Sequence, residues 1–335
     1  MERDRLAAFL DQIATRYHLV APVAEDGVVD YRRVDDARRV VLDELSTVPP
    51  KTHFFPQTEE LYSYSTVTGL EIKETVGTPA AVLFGVRPCD LKGFLALDPV
   101  FAGRFRDPYY WSKRERTIII GLSCTTVQST CFCQAFDGSP VNGEGADVLF
   151  TPLEAVYLVE ILTSKGEQLA AEFSTFLGTE GVEEALRGKE ALARELDGRF
   201  IRQVDLEGVK EKADRMFDHP YWRRLARRCL GCGICTFLCP TCHCFDVVDE
   251  NRGDRTGLRV RCWDSCMFTD FTLHTSGHNP RPSKTERLRN RILHKLKYHL
   301  DRYGLHGCVG CGRCVAKCPV NIDLTKVIAE IREVD

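Results

Sequence analysis

Residues 229–240 read CLGCGICTFLCP, and residues 308–319 read CVGCGRCVAKCP. Both follow one pattern, Cys-x2-Cys-x2-Cys-x3-Cys-Pro, and that pattern governs how the rest of the chain is read. Three cysteines at this spacing let a single loop offer three soft thiolates to the corners of a compact inorganic core. The glycines at 231, 233, 310 and 312 let the backbone pass close to the sulfurs. Iron–sulfur clusters need this kind of wrapping, and in two-cluster proteins the fourth cysteine, just before proline, ligates the other cluster. The repeats therefore predict two crossed [4Fe–4S] sites: Cys229, Cys232 and Cys235 with Cys318, and Cys308, Cys311 and Cys314 with Cys239. Zinc is the alternative, but a structural zinc site prefers two separated Cys pairs that close one tetrahedron. Cys239-Pro-Thr-Cys242-His243 also fits the c-type haem attachment pattern. Cys239 already closes the ferredoxin run, however, and no export signal is evident.

The rest of the composition suits that reading. The chain has 335 residues, 45 basic and 48 acidic, and such a balance points to neither nucleic acid nor an anionic membrane as partner. The N-terminal MERDRLAAFLDQIATRYHL lacks the basic start and apolar run of a signal peptide. The apolar runs at 80–86 and 117–122 are far too short to span a bilayer. A cytoplasmic protein is expected. In that compartment thiols stay reduced, so 16 cysteines point to metal and not to a disulfide framework.

The expected fold class is an α/β N-terminal domain (1–215) followed by a helical dicluster ferredoxin domain (216–335). AAVLFGV (80–86) and RTIIIGL (116–122) are short, apolar and β-branched, as buried strands are. Helices are expected over 3–19, 34–46, 180–197 and 208–228. Strands are expected around a Lys165-Gly166 turn and at GRFIRQVDL (198–206). A basic helix is expected at 284–303, and it makes the second part look like a helical dicluster ferredoxin and unlike a compact hairpin-built one.

Eight cysteines lie outside the two repeats. Cys89 and Cys124 follow the two best strand candidates, and in a parallel sheet those loops emerge at one edge. Cys131-Phe-Cys133 adds two thiols, so a third iron–sulfur cluster on Cys89, Cys124, Cys131 and Cys133 is favoured over four buried structural cysteines. Cys242, Cys244, Cys262 and Cys266 are left open between a further metal site and free thiols near the clusters. The basic helix carries Arg287, Arg289, Arg291, His294, Lys295 and Lys297. It reads first as a solvated helix, with docking to an acidic partner or raising of cluster potentials as the functional alternatives. SGHNPRPSK (276–284) reads as turn chemistry. Asp90 and Lys92, beside Cys89, have no clear reading alone. No dinucleotide or phosphate-binding glycine loop is found.

Together, LFGVRPCDLKGF, DPYYWSKRERTIIIGLSC, CFC, GADVLFTPLEAVYLVE, CGICTFLCPTCHCFDVVDE, RCWDSC, GHNPRP and CVGCGRCVAKCP resemble the four-iron–four-sulfur dicluster family. That family includes the beta subunit of cytoplasmic [NiFe] sulfhydrogenases and the corresponding iron–sulfur subunit of anaerobic sulfite reductases. The resemblance runs in order through most of residues 54–335. It implies a non-catalytic electron-transfer subunit of an oxidoreductase complex. Its partners would be an NAD(P)H-oxidising flavoprotein subunit, carrying FAD and a [2Fe–2S] centre, and a terminal hydrogenase or sulfite reductase subunit, with the hydrogenase preferred. The competing class is a self-contained enzyme acting on sulfur or disulfide substrates through its extra thiols.

Overall fold

The structure, a computed structural model, describes residues 1–334. Ten strands are present among them: β1 (His18–Glu25), β2 (Val28–Arg33), β3 (Thr58–Ser65), β4 (Glu71–Glu74), β5 (Ala81–Val86), β6 (Thr117–Leu122), β7 (Val148–Pro152), β8 (Tyr157–Ile161), β9 (Phe245–Asn251) and β10 (Thr256–Trp263). The N-terminal region is mixed α/β. Its main sheet has six strands in the order β2-β1-β5-β6-β7-β8. β1, β5, β6 and β7 run parallel, while β2 and β8 are antiparallel edges. Every residue of β5, β6 and β7 is buried, which explains why these strands read as continuous apolar runs without alternation.

Two apolar layers cover this sheet. One packs the helix Leu6–Ala14 through Phe9, Leu10 and Ile13 against Phe84, Ile120 and Phe150. The other packs the helix Pro88–Phe101 through Leu91, Phe94 and Leu97 against Leu83 and Ile119. Because β5 and β6 are parallel, the segments leaving them emerge at the same edge. They carry Cys89, in the first turn of the helix Pro88–Phe101, and Cys124.

A second, four-stranded antiparallel sheet has the order β4-β3-β10-β9. It draws two strands from each side of residue 215, so the two parts of the chain are stitched together through the β3–β10 ladder. The C-terminal region is otherwise helical. Helices Val209–Arg215, Tyr221–Ala226, Lys284–Leu293 and Leu324–Glu333 share one core with Trp222, Leu288, Ile292, Leu296 and Ile328. Phe132 and Phe136, from the loop after β6, are buried in that same core.

Several local expectations are corrected. The first helix stops at Ala14, and His18 already begins β1. Over 34–46 there is only a 3-10 turn at Ala37–Arg39. Beyond it the β-branched Val40 and Val41 bond to Val23 and Pro22 of β1, so sheet contacts prevail over helix propensity. Lys165-Gly166 lies inside the helix Ser164–Glu172, which Thr163 caps by accepting from the Gly166 N–H. The β7–β8 reversal falls instead at 153–156. GRFIRQVDL forms no strand. Its Arg202 pairs with Asp323 and donates to the Ser129 carbonyl, so this segment is a brace between regions. The helix expected over 208–228 is two helices with Pro220 between them. The helix over 284–303 is present, with a π turn at His294–Tyr298. Among the described residues no helix is long and apolar enough to cross a membrane.

Candidate metal centres

The sequence repeat is also a repeat of backbone conformation. Gly231 and Gly233 have φ of +72° and +76°, and Gly310 and Gly312 have +64° and +76°. Each second glycine leads directly into a short helix, Ile234–Phe237 or Arg313–Ala316, which carries the third cysteine of its motif. The backbone N–H groups of Gly231 and Gly310 point at Cys229 Sγ (3.3 Å) and Cys308 Sγ (3.5 Å), and the Ile322 N–H points at Cys318 Sγ (3.2 Å). Such donors favour the charged thiolate form that a metal requires.

The glycines of the second motif serve another purpose that the sequence did not suggest. A Cβ on Gly310 would fall 2.4 Å from the Phe132 carbonyl oxygen, and one on Gly312 2.3 Å from the Thr130 oxygen. The Phe132 N–H donates to the Gly310 carbonyl at 2.9 Å. The loop bearing Cys131 and Cys133 is therefore seated directly on the second motif.

The structure gathers the thiols around three cavities. One is lined by Cys229, Cys232, Cys235 and Cys318. A second is lined by Cys239, Cys308, Cys311 and Cys314. The third lies at the edge of the main sheet and is lined by Cys89, Cys124, Cys131 and Cys133. They form a row. Cys314 lines both the first and second cavities, and Cys311 lines both the second and third. Among the described residues no three Cys, His, Asp or Glu side chains are gathered closely enough to hold one metal ion. The thiols ring spaces, an arrangement suited to a multi-atom core.

The remaining four cysteines do not act alike. Cys242 is buried, and Arg291 Nη1 approaches its sulfur at 3.6 Å. Lys51, also buried, donates to the Cys242 carbonyl at 2.7 Å and sits 4.1 Å from the Trp263 ring centre. Burial lowers Lys51 to about 8. The Cys244 and Cys266 thiols are hydrogen-bonded to each other, which lowers Cys244 to about 6 and raises Cys266. Cys262 stands on β10, in register with Thr58 and Asp246.

The buried charges around these thiols are the residues the sequence reading missed. Asp90, fully buried, receives two bonds from Arg313, at 2.6 and 2.7 Å. Arg313 lies between Cys311 and Cys314 and also donates to the Ser46 carbonyl at 2.8 Å. Lys92 donates to the Phe136 carbonyl, beyond Cys133. Arg287, Arg291 and Lys295 are buried, which corrects the solvated-helix reading for that face. The signal was present: Leu288, Arg291, Ile292, Lys295 and Leu296 share one helical stripe. Burial pushes several of the cavity thiols toward the protonated form. Cys133 and Cys308 are raised to about 12 and Cys124 to about 11, so metal uptake must release protons.

The donor set is entirely thiol, N–H groups point at the sulfurs, and buried cations face them. All three features fit iron–sulfur centres. Comparison with known proteins agrees. Residues 228–322 match the family described as a 4Fe-4S dicluster domain. The whole chain is similar to sulfhydrogenase 2 subunit beta of Pyrococcus furiosus, 32% identical over 326 residues, which is 97% of this chain and 95% of that one. No solved structure matches. The chain belongs to the 4Fe–4S dicluster family that includes the sulfhydrogenase beta subunits.

Proposed function

We propose that this chain is the iron–sulfur electron-transfer subunit of a sulfhydrogenase-type complex, connecting an NAD(P)H-linked flavoprotein subunit to a terminal [NiFe] hydrogenase subunit. The observation that carries this reading is the row of three thiol-lined cavities in which each neighbouring pair shares a cysteine. Two [4Fe–4S] clusters on the crossed repeats and a third on Cys89, Cys124, Cys131 and Cys133 would supply one-electron carriers along that row. The chain's own work is to hold the thiolates at fixed spacing, to point N–H groups at them, and to shield them from water. Among the described cysteines only Cys232 is exposed, so the first cavity is where the row comes nearest to solvent. Cys242, Cys244, Cys262 and Cys266 are left as thiols around the clusters, with no fourth cluster assigned to them.

The experiment is an anaerobic affinity isolation of the chain from its native host, with metal analysis and visible spectra of what accompanies it. Nickel together with iron and flavin is expected. Sirohaem without nickel would replace the hydrogenase with a sulfite reductase. Recovery of the chain alone, turning over polysulfide or a disulfide with a reduced dye, would overturn the electron-transfer reading.

A further inference from the structure

The helix that separates the two repeats carries its cations in two ways. Arg289 and Lys297 lie near the surface and pair with Asp218, and with Asp214 and Asp301. Arg291 and Lys295, one turn apart on the inner side, are buried, and neither pairs with a carboxylate of the described residues. Both line the cavity of Cys229, Cys232, Cys235 and Cys318, and both also line the cavity of Cys239, Cys308, Cys311 and Cys314. Arg291 reaches Cys242 Sγ at 3.6 Å. Lys295 Nζ donates to Thr241 Oγ1 at 2.8 Å, and that oxygen is 3.2 Å from Cys239 Sγ. Thr241 is held in place by donating to the Gly307 carbonyl at 2.6 Å. The π turn at His294–Tyr298 contains Lys295, whose carbonyl accepts from the Gly307 N–H just before the second motif. The helix is thus tied to the loop it faces.

A buried cation without a counter-charge costs several kcal/mol, so the native state must supply anions. Lys295 faces the Cys239 sulfur through Thr241 Oγ1. Arg291 faces the Cys242 sulfur directly and shares the first cavity with Cys235. The third cavity is organised differently: neither Arg291 nor Lys295 lines it, and its own cation, Arg87, donates to the Ser123 and Leu42 carbonyls.

Resting on the cluster reading above, we infer that Arg291 and Lys295 are positioning residues that set the reduction potentials of the two repeat-bound clusters together. Adding an electron makes a cluster more negative, and a fixed cation stabilises that state more than the oxidised one. Both cations therefore raise the potential, in a buried site where screening is weak. Because the same two side chains face both cavities, the two clusters shift in the same direction. The helix thus acts as a common electrostatic bias on this part of the row, while the cluster at Cys89, Cys124, Cys131 and Cys133 is set by its own surroundings.

The test is a redox titration of the anaerobically reconstituted full chain, followed by paramagnetic resonance. It compares Arg291→Met and Lys295→Met with the charge-preserving Arg291→Lys and Lys295→Arg. Each Met variant is expected to lower the reduced-to-oxidised ratio of both repeat-bound clusters at least tenfold at a fixed potential, about 59 mV for one electron. The third cluster should not move, and the charge-preserving variants should stay near wild type. Unshifted potentials in Met variants with full iron content would overturn the inference, as would equal shifts in both sets of variants. If a Met variant loads no repeat-bound cluster while its charge-preserving partner does, the buried charge holds the cluster in place instead of setting its potential, and the inference is overturned. If the wild-type chain itself lacks the repeat-bound clusters, the cluster reading fails and not the electrostatics.

Discussion

Cys318→Ser is expected to empty the cavity of Cys229, Cys232 and Cys235, a site 83 or more residues away in sequence, while the cluster on the neighbouring Cys308, Cys311 and Cys314 survives. The reason is geometric. Cys318 follows the short helix Arg313–Ala316 and lines the first cavity with Val320 and Ile322, whereas Cys239 lines the second. Arg228 fixes this approach by donating to the Val320 and Asn321 carbonyls, at 3.0 and 3.1 Å. Serine offers a hard, poorly ionised oxygen in place of a thiolate, and a cluster left with three protein ligands is labile. Iron analysis with paramagnetic resonance should show loss of about four irons and of one signal, and Cys239→Ser should remove the other. A Cys318→Ser protein that loses the 308–314 cluster and keeps the 229–235 cluster would disprove the crossed arrangement.

The second large effect is expected at Asp90. It is fully buried, Arg313 is 4% exposed, and their two-fold bond joins the helix that carries Cys89 to the short helix Arg313–Ala316 that carries Cys314. Removing one partner leaves the other charge stranded, which typically costs about 3–5 kcal/mol. Asp90→Asn should therefore lower stability by roughly that amount. It should also loosen the junction between the second and third cavities, which share Cys311. Replacing both charges with apolar groups of similar volume, as in Asp90→Leu with Arg313→Met, should recover much of the loss. Anaerobic denaturant unfolding of the single and double variants makes the comparison. A double variant as unstable as Asp90→Asn would show that the cost does not come from an unpaired charge.

The two motifs were legible because their chemistry is local. Cysteine spacing, positive-φ glycines and the closing proline all fall within twelve residues, and nothing distant is needed to read them. β5 and β6 were legible because strands buried on both faces are uniformly apolar, and their parallel pairing brought Cys89 and Cys124 to one edge. What stayed hidden depends on partners far along the chain. β9 is exposed along nearly its whole length and carries Asp246, Asp249 and Glu250. It is a strand because β10 pairs with it, and β10 in turn pairs with β3, almost two hundred residues earlier. Val40 and Val41 sit in a stretch with helical spacing but lie along β1. Arg313 is one letter inside a cysteine motif, and its role exists only because Asp90 arrives from the other region. Arg291 and Lys295 were seen as charges on a helix. The apolar stripe they share with Leu288, Ile292 and Leu296 marks their burial, but the thiols they face come from both repeats, which propensity and local pattern do not encode.

The central claim is a row of three clusters on one chain. It is tested most directly by the iron and acid-labile sulfide content of the anaerobically reconstituted protein, measured beside Cys89→Ser. The account predicts about twelve irons and twelve sulfides per chain in the wild type, falling to about eight of each in the variant with the two repeat-bound signals unchanged. About eight irons in both proteins would contradict it, because the thiols at Cys89, Cys124, Cys131 and Cys133 would then hold no cluster and the row would end at Cys311.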